Sequence, residues 1–176
     1  MNCPEKIAGT YLRLNGFFVL PHFTLFDGER HSHVDFLGLR PPSGIERCGR
    51  LELPLDQKFF ATADQLIRGS SFNELIGAVV EVKGGNNIEL PSPGHIEYAE
   101  AFFGGRPRVI PVSFSLDVER IGIQDGTIMI SLKHSLEWIK NRIDWMNHNI
   151  RSLTKTGSWA WSEEFLSDLL YLYRLG

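Results

Sequence analysis

The chain is predicted to be α/β, with one central mixed sheet flanked by helices. Three observations carry that expectation. Apolar residues at helical spacing open the chain, several β-rich runs bounded by turn residues follow, and amphipathic helical patterns close it. The length of 176 residues fits one domain of ordinary size, 1–176.

Residues 4–15 read as the first helix. Pro4 suits a first helical position, Ile7, Ala8, Tyr11, Leu12 and Leu14 form a broad apolar face, and Gly16 is the stop. Residues 17–26 are rich in aromatic and β-branched side chains and read as a strand, with Pro21 at a sheet edge or bulge. Asp27-Gly28 is a turn signal, and 33–39 is the return strand. Pro41-Pro42-Ser43-Gly44 breaks the pattern, and 45–77 carries no clean period apart from a helix at 56–68 that ends at Gly69. The strongest strand, 77–83, stops at Gly84-Gly85-Asn86-Asn87. Two prolines and several glycines make 86–105 a loop. Residues 109–116 are a strand with Pro111 again at an edge or bulge, and Asp125-Gly126 turns the chain into a short strand, 127–132. An amphipathic helix is expected at 135–150 and a last one at 162–175, capped by Ser162.

Composition narrows the function classes. A hydrophobic fraction of 43% with 22% charged residues belongs to a soluble globular protein. No apolar run approaches the ~18 residues of a membrane span, and the N-terminus lacks the basic and apolar regions of a signal peptide. Cys3 and Cys48 have no CxxC spacing, which leaves neither a zinc ribbon nor a disulfide framework and makes the cytoplasm the expected compartment. The net charge of −3 argues against a non-specific nucleic-acid coat but not against a local basic groove. No GxGxxG or GxxxxGK[ST] is present to cradle a nucleotide.

Two strands carry charged residues where apolar ones are expected. In "HVDFLGLR", Val34 and Phe36 point one way and Asp35 the other, so Asp35 interrupts a mostly buried strand. A carboxylate there needs a cation or hydrogen-bond donors. In "VVEVKGG", Val80 and Val82 take one face while Glu81 and Lys83 take the other with Val79. A solvated strand face is the common reading of such a pattern. The glycines behind it, however, let a ligand or another backbone approach the strand end. If the strands are neighbours, Asp35, Glu81 and Lys83 converge, and two carboxylates plus a backbone carbonyl and waters suit a hard cation such as Mg²⁺.

Asp35, then Glu81-Val82-Lys83, and the helix glutamate Glu5 eleven residues before Gly16 resemble the signature of the PD-(D/E)xK nuclease superfamily. The run "PEKIAGTYLRLNGFFVL" is similar to its acidic helix, glycine and hydrophobic strand. The resemblance covers about 4–40 and 77–116. It makes 41–76 an insertion and leaves the C-terminal helices, 134–176, without a match. Val34 stands where that family often has proline. The resemblance implies a restriction-endonuclease-like fold and Mg²⁺- or Mn²⁺-dependent hydrolysis of DNA or RNA. It implies that Asp35, Glu81 and the Val82 carbonyl hold the metal with Glu5 in support, and that Lys83 positions or activates the attacking water. His33, Arg40, Arg106 and Arg108 are the expected substrate contacts. With Lys6, the arginines should make the surface beside Lys83 positive, since phosphates are bound mainly by Lys and Arg. The other reading is a non-catalytic member of the same fold that serves as a binding or assembly module.

"HSHVD" is also similar to the HxHxDH motif of metallo-β-lactamase-fold hydrolases, but Phe36 replaces its last histidine and His95, His134 and His148 sit in unrelated contexts. His31 is therefore read as a surface turn residue. Scattered surface positions are an equal reading for the arginines, Arg47 and Arg50 included. Trp159 and Trp161 are read as docking the last helix or forming a homodimer contact, and Trp138 and Trp145 as packing residues.

Overall fold

The computed structural model describes residues 1–27, 30–48, 50–69, 73–85 and 88–150. The expected helix at 162–175, with Trp159 and Trp161, lies outside them. The first helix, α1 (Cys3–Leu14), begins at an Asn2 N-cap whose side chain accepts from the Glu5 N–H while the Glu5 carboxylate accepts from the Asn2 N–H. It ends before Gly16, which adopts φ +89; a Cβ there would collide with the Gly44 carbonyl oxygen.

A long hairpin follows, β1 (Phe18–Asp27) with β2 (Arg30–Arg40). The return strand thus starts three residues earlier than expected, and His31 lies on it opposite Phe26 rather than in the turn. A small hairpin, β3 (Arg47–Cys48) with β4 (Leu51–Glu52), precedes α2 (Gln57–Ile67), which Asp56 caps. Helix α2 buries Phe59, Phe60, Ala63 and Ile67, so the 41–76 segment supplies part of the main core.

The central strand β5 (Ile76–Lys83) is buried on both faces up to Val82. The expected loop at 86–105 is in fact interrupted by a helix, α3 (Pro93–Phe102). The prolines there are not breakers: Ser92 is the N-cap and Pro93 opens the helix, where its missing N–H costs nothing. Then come β6 (Arg108–Ser115), β7 (Gly122–Gln124), β8 (Thr127–Ser131) and the long α4 (Leu132–Asn149). The short β7 carries no pattern that marks it in the sequence.

The strands form a mixed sheet in the order β1-β2-β5-β6-β8-β7. The pairs β1/β2, β2/β5 and β7/β8 are antiparallel; β5/β6 and β6/β8 are parallel. Pro21 lies on edge strand β1, as expected. Pro111 lies on an interior strand, one residue before pairing with β8 begins at Val112. Helices α1, α2 and α4 cover one sheet face through Phe36, Val80, Val112 and Ile130. Helix α3 covers the other through Val34, Val79, Ala99 and Val109. Each buried valine, isoleucine or phenylalanine among them contributes about 1.5–3 kcal/mol. Trp138 packs against Tyr11 at 5.3 Å between ring centroids, the role expected of it. Among the described residues, no helix is long and apolar enough to cross a membrane.

Candidate active site

Strands β2 and β5 pair from Arg40↔Ile76 to Phe36↔Val80 and then part. Continuing the register would place Asp35 opposite Glu81. Instead the Asp35 carboxylate enters the fork and accepts the Val82 N–H at 2.6 Å. The side-chain alternation fails at the same point. Phe36 packs in the core beneath α1, whereas Val34 packs beneath α3, although residues two apart on a strand should share a face. The expectation that Val34 and Phe36 point the same way is therefore corrected, and the kink between them turns Asp35 into the fork.

Glu81 meets it there. Burial, followed by the charges of Asp35 and Glu89, pushes the Glu81 pKa up to about 8. Glu81 is only 4% exposed, which removes the solvated-face reading. Its Oε1 is buried without a hydrogen-bond partner and lies 3.6 Å from His95 Nδ1. Burial also raises the Asp35 pKa; the Glu5 charge adds to this, and the Val82 N–H, Lys83 and His22 oppose it.

Lys83 extends from the end of β5, partly exposed, and its Nζ lies 2.5 Å from Glu89 Oε2. That bond raises the Lys83 pKa and keeps it an ammonium. At neutral pH Lys83 is therefore a positive charge held beside the carboxylates. Glu89 is held in place by its backbone, whose carbonyl accepts from Ser113 Oγ at 2.7 Å. Gly84 lets α1 approach the strand end, because a Cβ there would lie 2.6 Å from Pro4 Cγ. The close backbone approach inferred from the glycines is thus to α1, and it carries Glu5 to the site.

The expected residues divide sharply. Asp35, Glu81, Val82 and Lys83 come together, with Glu5 beside them. The Glu5 oxygens are engaged by the Asn2 backbone N–H at 3.1 Å and the Asn2 side chain at 2.6 Å, so Glu5 is a helix cap whose charge bears on Asp35 rather than an open ligand. Arg40 is fully buried; its guanidinium donates to the carbonyls of Asn15 and Gly44 and lies over the Phe60 ring. It is a core residue and not a substrate contact. Arg108 pairs in register with Ile76 while Ser115 pairs with Lys83, which sets Arg108 at the other end of the sheet, roughly 23 Å along the strand. Its guanidinium donates to the Ile67 carbonyl, and the exposed Arg106 precedes it on the same end. The basic groove expected from these three arginines therefore does not form beside Lys83. His33 lies exposed on the hairpin, bonded to Thr24 Oγ1 at 3.0 Å and stacked edge-on to His31. It turns away from Asp35 because of the same kink.

Three site residues escaped the sequence reading. His22, opposite Asp35 on β1, places Nε2 3.6 Å from Glu5 Oε2. His95, on the first turn of α3, bonds Ser32 Oγ through Nε2 at 2.7 Å. Glu89 holds Lys83. The Ser92-Pro93 helix start was the available signal for His95; for the other two there was none.

Among the described residues, no group of three or more His, Cys, Asp or Glu side chains is placed to hold a metal ion. A hard cation here would take the Asp35 and Glu81 carboxylates, the Val82 carbonyl and water. The donor chemistry fits: a buried carboxylate pair bears one unpartnered oxygen, and a cation would relieve its repulsion. The HxHxD zinc reading does not fit, since His31 and His33 point away. No protein-family model, curated protein or solved structure was found to match the chain.

Proposed function

We propose that the protein is a Mg²⁺- or Mn²⁺-dependent nuclease with a restriction-endonuclease-like core, hydrolysing phosphodiester bonds of DNA or RNA. One observation carries the reading. Asp35, whose carboxylate takes the Val82 N–H, and the buried Glu81, forty-six residues apart in sequence, meet at a strand fork with the Lys83 ammonium beside them. A structural ion pair would match opposite charges. This site instead holds two carboxylates together in a buried place, at a cost that a cation would offset.

Asp35 and Glu81, with the Val82 carbonyl, hold the metal, which supplies charge neutralisation and water activation when bound. Asp35 also pins the fork open through Val82, so its carboxylate is fixed before any ligand arrives. Lys83, still protonated, orients the attacking water and offsets phosphate charge. Glu89 keeps its chain extended over the site. Hydrolysis joins the water oxygen to phosphorus and breaks one P–O ester bond.

The test is cleavage of mixed DNA and RNA substrates in Mg²⁺ or Mn²⁺ by wild type, Asp35→Asn and Lys83→Ala. Wild type should cleave and both variants should not. Equal cleavage by wild type and Lys83→Ala would place the activity elsewhere. No cleavage, with no metal-induced thermal shift in wild type, would favour a non-catalytic binding or assembly module.

A further inference from the structure

The hairpin distorts at one point on both strands. On β1, His22 adopts φ +52, a left-handed conformation that a non-glycine residue seldom takes inside a strand. Pro21 pairs with Phe36 and Phe23 with Val34, so His22 and Asp35 face each other with no ladder pair between them. The alternation of β1 breaks as that of β2 does: Val19 packs on the core beneath α1, and Phe23 packs beneath α3. Backbone strain of this kind is costly and clusters at functional sites.

What the strain achieves is a placement. The His22 ring stands 55% exposed at the rim of the carboxylate pair, with Nε2 3.6 Å from Glu5 Oε2. A phosphodiester needs hydrogen-bond donors, yet Arg40, Arg106 and Arg108 lie elsewhere, which leaves Lys83, itself shared with Glu89. His22, opposite Asp35 on the edge strand, is an exposed ring beside these carboxylates.

We propose that His22 is a phosphate-contacting residue. Its imidazole N–H donates to a non-bridging oxygen of a phosphate that a cation at Asp35 and Glu81 would bring to the site, and the kinked hairpin presents it. The assignment rests on the nuclease reading for its substrate, but anion binding can be measured without turnover.

The experiment compares wild type with His22→Asn, which tolerates the left-handed backbone, and His22→Gly, which relieves its strain. Calorimetry measures inorganic phosphate binding in the presence of Mg²⁺, and cleavage kinetics give KM and kcat separately. Both variants should weaken phosphate binding and raise KM about tenfold, with a smaller change in kcat. A purely structural His22 would leave both quantities unchanged while His22→Gly gained stability, and that result would overturn the assignment even with an active wild type. If wild type cleaves nothing but binds phosphate, and His22→Asn loses that binding, His22 stands and the nuclease reading falls. No phosphate binding by wild type, in calorimetry or as competition with substrate, overturns the assignment.

Discussion

Asp35 Oδ2 accepts the Val82 N–H at 2.6 Å, in the place where a β-ladder would have supplied a backbone carbonyl. One side chain thereby ends the β2/β5 pairing and satisfies the donor that the separation exposes. The same carboxylate sets its charge beside the buried Glu81.

That double role predicts how two substitutions at this position differ. Asp35→Asn keeps an oxygen for Val82 and removes the negative charge beside Glu81. Asp35→Ala also removes that charge but leaves a buried N–H without an acceptor, at about 1–3 kcal/mol. Urea unfolding at neutral pH should find Asp35→Asn the more stable variant by that margin, with both unable to cleave. Equal stabilities would mean that water or another backbone group serves Val82 just as well.

Lys83 behaves differently. Its ion pair with Glu89 joins two partly exposed side chains, a contact usually worth less than about 1 kcal/mol. Lys83→Ala should therefore unfold within about 1 kcal/mol of wild type while cleavage is abolished. A large loss of stability would show that the Glu89 contact holds the 84–92 connection in place, and the lost activity would then say nothing about chemistry.

The sheet was legible because its strands are apolar runs bounded by turn residues, and β5 is the extreme case. Asp35, Glu81 and Lys83 were legible for the converse reason, as charges set into those runs. Sequence periodicity assumes an unbroken strand, however, so it turned His33 toward the site when the kink at Asp35 turns it away. Arginine reads as a surface residue, and nothing local announces that Arg40 will meet the α1 terminus and the Gly44 turn inside the core. Helix α3 was hidden because Pro93 signals a breaker or a first helical position with equal force, and only the preceding Ser92 decides between them.

Arg40 supplies a prediction that separates core from substrate contact. Replacing it with alanine leaves the carbonyls of Asn15 and Gly44 without that donor and a void beside Phe60. The expected cost is about 2–5 kcal/mol. Thermal melts should show a large fall in Tm, and the protein that remains folded should keep its KM. A raised KM with an unchanged Tm would return Arg40 to the substrate.

Glu81 predicts a pH dependence with a definite sign. Its folded pKa of about 8 exceeds the ordinary glutamate value of 4.5, so between those limits the native state holds a proton that the unfolded state has lost. Raising the pH across that window should lower the stability of the metal-free protein, by up to about 1.4 kcal/mol per unit from this group. The loss should level off above pH 8, and the raised pKa of Asp35 acts in the same direction. Glu81→Gln fixes the neutral form and should flatten the profile, gaining on wild type as pH rises. A divalent cation selects the ionised pair instead, so the stabilisation of wild type by Mg²⁺ should grow through the same window and be absent in Glu81→Gln. Chemical denaturation from pH 5 to 9, with and without Mg²⁺, measures both. Parallel profiles for wild type and variant would mean that Glu81 ionises in the fold as readily as in the open chain, and the fork would lose its claim to be a cation site.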